Sequence, residues 1–194
     1  MTMVVIDYKN ISVGTICDEN IEKCVELRED QSMFFFGEKP TRSSSRRWIL
    51  AHRNTPEDVL YQITHKKTGF FLGTIGLVKH GDKIEIGRLA VYAKGVCQLL
   101  KNGETRESIG EIGVYSCIAL LGLIFQTQIF DIVCAEVLAT NALSNKLCKE
   151  QCGSVHESYR ETSAGKKIKT YVYSMTREEI FDKYGNEKMD IFLT

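Results

Sequence analysis

The sequence predicts an α/β (α+β) protein, and three observations predict it. Residues 59–92 hold three alternating apolar runs separated by Lys67-Thr68-Gly69 and His80-Gly81-Asp82, an antiparallel meander joined by tight glycine-containing turns. Residues 109–128 are apolar nearly all round, as a buried helix is, and a buried strand at 132–139 follows them. Residues 155–162 and 167–175 alternate around Ala164-Gly165 as a hairpin.

The remaining elements obey the same rules. Residues 3–7 and 11–16 carry β-branched side chains suited to strands. Asp18 caps a helix on which Ile21, Cys24, Val25 and Leu27 fall near helical spacing. Residues 43–53 read as a second helix with Trp48 as its inward anchor, and Pro40 and Pro56 fall in loops. The meander divides into strands at 59–65, 70–79 and 83–92. After Tyr92 the pattern lapses for about fifteen residues, long for a compact domain and therefore functional or mobile. Residues 142–151 form a helix closed by Gly153, and Thr176 with Glu179 makes a capping box for a last helix reaching Gly185. The order is β-α-α-β-β-β-α-β-α-β-β with a tail. We read it as one domain over residues 1–194, with an insertion at about 93–108 and a helix and tail at 176–194.

Composition narrows the function. The chain of 194 residues is 43% hydrophobic and 26% charged, a globular balance. Lys+Arg and Asp+Glu are both 25, which argues against a partner that is nucleic acid. The seven cysteines include no C-x-x-C pair, so a reduced, cytoplasmic protein fits better than a disulfide framework. Cys148 and Cys152 lack a second ligand pair, and no metal is expected. Residues 1–10 do not read as a signal peptide, and the apolar run at 112–125 is too short for a membrane span, which takes roughly 20 residues.

Four stretches resemble the GCN5-related N-acetyltransferases, closest to the subgroup of ribosomal-protein N-terminal acetyltransferases and nucleotide-linked amino-sugar N-acetyltransferases. Gly69-Phe70-Phe71-Leu72-Gly73-Thr74-Ile75-Gly76-Leu77 is similar to a strand pair of that family. Glu85-Ile86-Gly87-Arg88-Leu89-Ala90-Val91 resembles its fourth strand, where a bulge opens the sheet to the pantetheine arm. Arg106 to Gly113 resembles the pyrophosphate loop ahead of the long helix. It departs from the pattern in having Arg106 four before Gly110, glycines three apart, and Glu111 beside the expected anion. Asn141-Ala142-Leu143-Ser144-Asn145-Lys146-Leu147-Cys148 resembles the helix that lies along pantetheine, with Cys148 where many members have a tyrosine.

The resemblance implies a mixed, mostly antiparallel, twisted sheet of six or seven strands flanked by helices. It also implies acetyl-CoA as acetyl donor and transfer to a primary amine by direct attack. The acceptor would be a nucleotide-linked amino sugar or other small amine. The alternatives are a peptide N-terminus as acceptor, a non-catalytic acyl-CoA sensor, or a domain whose cleft is filled by residues 93–108. No membrane partner is expected, and the protein would be a monomer or homodimer. By residue, the resemblance assigns Glu85 as base and Cys148 as proton donor. It assigns Leu89, Ala90, Val91, Ile109, Gly110, Gly113, Asn141 and Ser144 to acetyl-CoA. Arg28, Phe35, Arg47 and Trp48 are assigned to the acceptor, with Arg forking onto phosphate and Trp stacking on a ring.

Overall fold

The computed structural model describes residues 4–30, 40–105, 107, 111–128, 130–162 and 165–193. Its strands are β1 (Val4–Tyr8), β2 (Ile11–Thr15), β3 (Asp58–His65), β4 (Phe71–His80), β5 (Lys83–Val91), β6 (Ile132–Leu138), β7 (Ser154–Glu161), β8 (Lys167–Thr176) and β9 (Asp190–Leu193). They form one sheet in the order β7-β8-β6-β5-β4-β3-β2-β1-β9. Every pairing is antiparallel except that of β5 with β6. Among the described residues the helices are α1 (Ile21–Asp30), α2 (Arg42–His52), α3 (Ala93–Lys101), α4 (Ile112–Thr127), α5 (Ala142–Gln151) and α6 (Arg177–Tyr184).

Strand alternation sends successive side chains to opposite faces, and each face has its own core. On one face Ile63, Leu72, Ile75, Ile84 and Ile86 pack with Ile112, Ala119, Leu120 and Ile124 of α4. That helix is apolar all round because the sheet covers one side while Leu99 of α3 and Ile180 and Tyr184 of α6 join the same core. On the other face Leu60, Phe71 and Tyr92 meet Cys24, Val25 and Leu27 of α1 and Ile49 of α2. Arg42 bonds Glu22 (2.6 Å) and Glu29 (3.1 Å), tying these two helices together.

Two expectations are corrected. The sheet has nine strands, not six or seven, because the two N-terminal segments are separate strands and the tail supplies another. β9 pairs with β1 from Val4↔Leu193 to Asp7↔Asp190 and covers what would otherwise be a bare edge. The lapse after Tyr92 is also not without regular structure, since residues 93–101 form α3. Gly95 weakens the helical signal there, yet the fold requires it. A Cβ at that position would lie 1.9 Å from the Phe71 carbonyl oxygen, so only glycine lets α3 settle on β4.

Candidate active site

The site is built by a fault in the sheet. β4 and β5 pair regularly from His80↔Lys83 to Gly76↔Gly87, then resume at Thr74↔Ala90 and Gly73↔Val91. β5 therefore carries one extra residue, a bulge at Arg88, whose φ of +55° lies in the left-handed region. Thr74 donates its hydroxyl to the Arg88 carbonyl at 3.3 Å and braces the bulge. On its other side β5 pairs with β6 in parallel over three rungs, the last being Glu85↔Cys134. Beyond that rung β6 continues with β8 as far as Leu138↔Thr170, while residues 86–91 of β5 form no rung with it. A gap opens between them, bordered by two strand edges that form no ladder with each other.

The α4 side of the gap is apolar and close-fitting. Leu89 packs against the core, and a Cβ on Gly113 would lie 3.5 Å from Leu89 and 3.6 Å from Leu147 of α5. Ala90 packs toward α1 and α2, and Val91 is exposed at the strand end. Asn141 caps α5 by accepting the Ser144 N–H at 3.2 Å. Asn145, which the sequence reading passed over, fastens that helix to the sheet. It donates to Leu138 O (2.8 Å) and Asn141 O (2.9 Å) and accepts the Tyr173 hydroxyl (3.1 Å). Ile109 and Gly110, with Arg106 and Ser108, lie outside the described residues. Glu111, the charge expected to disturb that loop, accepts a hydrogen bond from the Tyr115 hydroxyl.

Cys148 lies half-buried on α5. Burial, and after it the neighbouring Cys152, push its thiol up to about 12. A thiol held that high parts with its proton reluctantly and forms little thiolate, which weighs against both acid and nucleophile roles. Among the described residues no group of three or more His, Cys, Asp or Glu is placed to hold a metal.

The opposite face, toward α1 and α2, is charged. Glu85 stands on the last parallel rung with its side chain 25% exposed. His80 Nε2 lies 3.8 Å from one carboxylate oxygen and Arg160 Nη2 lies 3.5 Å from the other. On the same face Arg28 and Trp48 meet, the guanidinium carbon 3.9 Å from the ring centroid. Burial, then the like charge of Arg88, pull the Arg28 guanidinium down to about 10. Arg47 is exposed on α2 and outside this cluster, and Phe35 lies outside the described residues.

Arg88, His52 and Asp58 are members that sequence reasoning missed. Arg88 lies 4.9 Å from the Trp48 centroid, and His52 stacks on the indole at 4.2 Å. Arg88 forks onto Asp58, whose second oxygen is 3.1 Å from Nη2 and 3.3 Å from His52 Nε2. Burial alone would raise the Asp58 carboxyl, but the Arg88 bond and charge outweigh it and hold the group below its usual value. Gly76 makes the crossing possible, because a Cβ there would meet Arg88 Cδ at 3.1 Å.

A cavity of about 380 Å³ lies elsewhere, between α4, α6 and the segment leading to β9, lined by Phe125, Ile180, Tyr184 and Met189 among others. None of the residues placed at the gap or in the charged cluster lines it. The gap, with its parted strand edges and flanking charges, is the better candidate.

No family model and no curated protein matches the sequence. Solved structures do. A GNAT-family acetyltransferase from Bacillus anthracis superposes with a TM-score of 0.70 at 14% identity, covering 90% of this chain and 99% of that one. FdhC, a nucleotide-linked sugar GNAT, gives 0.62 at 14% identity over 92% and 94% of the two chains. RimL, a ribosomal L7/L12 alpha-N-protein acetyltransferase solved with coenzyme A, gives 0.61 at 10% identity over 89% and 97%. The likeness is one of fold, and the fold is that of the GCN5-related N-acetyltransferases.

Proposed function

We propose that the protein is an acetyl-CoA-dependent N-acetyltransferase that moves the acetyl group to a primary amine by direct attack. The observation that carries this reading is the three-rung parallel pairing of β5 with β6, broken open by the Arg88 bulge. An extended chain of amides, which is what pantetheine is, complements such strand edges. Main-chain groups of Leu89, Ala90 and Val91 would hold it on one side. Asn141 and Ser144 would face it from α5, and Gly113 leaves room at the start of α4. The cytoplasm, where this donor is made and used, is the compartment we propose.

Acetyl-CoA supplies an activated acyl carbon and a thiol leaving group. The chain supplies the rest. A primary amine is an ammonium near neutral pH and attacks only after losing a proton, so a nearby base is needed. Glu85 sits where the gap closes, on the face toward α1 and α2, and takes that proton directly or through a water. A β5 amide aimed at the acyl oxygen steadies the charge that develops there. Overall the amine becomes an amide, the thiol is freed, and one proton passes to solvent.

For the acceptor we favour a nucleotide-linked amino sugar or a similar small amine. Arg28, seated on Trp48, carries a guanidinium suited to phosphate. FdhC, of the same fold, is a nucleotide-linked sugar GNAT. A peptide N-terminus is the second reading, supported by the likeness to RimL.

Thermal denaturation with saturating acetyl-CoA tests the reading, and a rise of several degrees is expected. Free-thiol release with glucosamine, UDP-glucosamine and Ser- or Ala-initiated peptides then tests catalysis and acceptor. No shift and no thiol release would overturn it. Glu85→Gln should cut turnover roughly 100-fold while leaving the acetyl-CoA shift in place.

A further inference from the structure

On the face that carries Glu85, four neighbouring strands are linked by side chains. Thr170 of β8, fully buried, donates its hydroxyl to Glu136 Oε1 at 2.7 Å. Glu136 of β6 accepts Arg160 Nε on its other oxygen at 2.6 Å. The same guanidinium, on β7, extends Nη2 to Glu85 Oε1 at 3.5 Å. β7, β8, β6 and β5 are consecutive in the sheet, so Arg160 reaches from the edge strand over β8 to both carboxylates.

The two acids are held differently. Glu136 has a short bond on each oxygen, while Glu85 has, among the described residues, the longer contacts to Arg160 and His80. Other charges nearby are Lys83 on β5, beside Cys134, and the Arg88 fork on Asp58. Glu85 stands on the last rung before the strands part, so its backbone is fixed but its carboxylate is steered by charge alone.

We propose that Arg160 is a positioning residue for Glu85. Anchored by Glu136 and Thr170, it orients the candidate base at the closed end of the gap. The acceptor ammonium approaches a carboxylate already turned toward it, and Arg160 stays bonded to Glu136 while Glu85 takes the proton. This inference rests on the acetyltransferase reading above.

The test is a double-mutant cycle of Arg160→Gln and Glu85→Gln, with Arg160→Lys and Glu136→Gln alongside. Thiol release is measured with the fastest acceptor of the panel above. Arg160→Gln is expected to lower kcat about 10-fold with the acetyl-CoA half-saturation unchanged, and Arg160→Lys to recover part of it by keeping the charge. In the Glu85→Gln background the same change should alter the rate less than 2-fold, because residues that act as a unit are not additive. Glu136→Gln, nearly isosteric, should reproduce part of the loss. In the ligand-free protein the melting shifts of Arg160→Gln and Glu85→Gln should fall short of additivity by about 2 °C.

Full turnover in Arg160→Gln overturns the proposal. So does an equal 10-fold loss with and without Glu85, or strictly additive melting shifts, each of which marks Arg160 as a staple of the outer hairpin only. If the unmodified protein neither shifts with acetyl-CoA nor releases thiol, the acetyltransferase reading itself fails, a result distinct from these.

Discussion

The two strands that border the gap come to it by opposite means. β6 is regular, pairing with β8 on every residue from Ile132 to Leu138. β5 is deformed by an extra residue at Arg88, a left-handed φ there, and a neighbour strand with glycine at positions 73 and 76. One wall is a straight edge and the other bends away from it. The opening therefore depends on local backbone shape in β4 and β5, and charge has been gathered around the bend. The comparison predicts that changes near the bulge alter the gap while changes along β6 and β8 do not.

The most damaging change should be Gly73→Val. A Cβ at residue 73 would stand 2.0 Å from the Ala90 carbonyl oxygen, a backbone atom on the bent strand. We expect a loss of roughly 3 kcal/mol or more, read as a collapse of the urea midpoint or of soluble yield. Near-native stability would show that the bend tolerates more than its geometry implies.

Next in size is Trp48→Ala. The indole carries Arg28 and His52, and without it the Arg28 guanidinium loses its seat beside the acceptor, so KM for a nucleotide-linked acceptor should rise about 10-fold. Acetyl-CoA affinity should not move. A peptide acceptor should be indifferent to the change, which makes this variant the sharpest divider of the two acceptor readings.

Arg88 separates backbone from side chain. Arg88→Gly and Arg88→Ala both lose the fork onto Asp58, but only glycine adopts a φ of +55° without penalty. Chemical denaturation should find the glycine variant more stable than the alanine one by about 1 kcal/mol. Equal stabilities would mean that the bulge relaxes once the guanidinium is gone.

The smallest effect is in acid. The folded Asp58 carboxyl titrates below its unfolded value of about 3.9. Its contribution to stability is therefore complete above roughly pH 4 and fades as the pH falls through the folded-state value. Asp58→Asn should flatten the acid limb of a melting-temperature profile below about pH 4, and an unchanged limb would remove the Arg88 fork from the account.

What the sequence disclosed and what it withheld divide along a physical line. The meander, the long helix and the last hairpin are written in periods of two and 3.6, so their elements are legible locally. The strand holding Glu85–Val91 and the helix capped by Asn141 were legible by likeness to a known fold. α3 was missed because Gly95, needed for its approach to Phe71, dilutes a short pattern. β9 was missed because four residues carry little period, and its partner lies at the other end of the chain. The charged cluster was least legible of all. Arg88 and Asp58 are 30 positions apart and Arg160 and Glu85 are 75 apart, and no spacing rule links residues that meet only across strands.

The pairing of β9 with β1 carries a consequence for the newborn chain. Val4 and its strand leave the ribosome before the rest of this sheet, while Leu193 emerges about 190 residues later, on the order of 10–40 s at ordinary rates of translation. Throughout that interval one row of main-chain donors and acceptors on β1 has no neighbour. The first strand made is thus the last to be sealed, and for those seconds it is the place where two nascent chains are most exposed to pairing with each other.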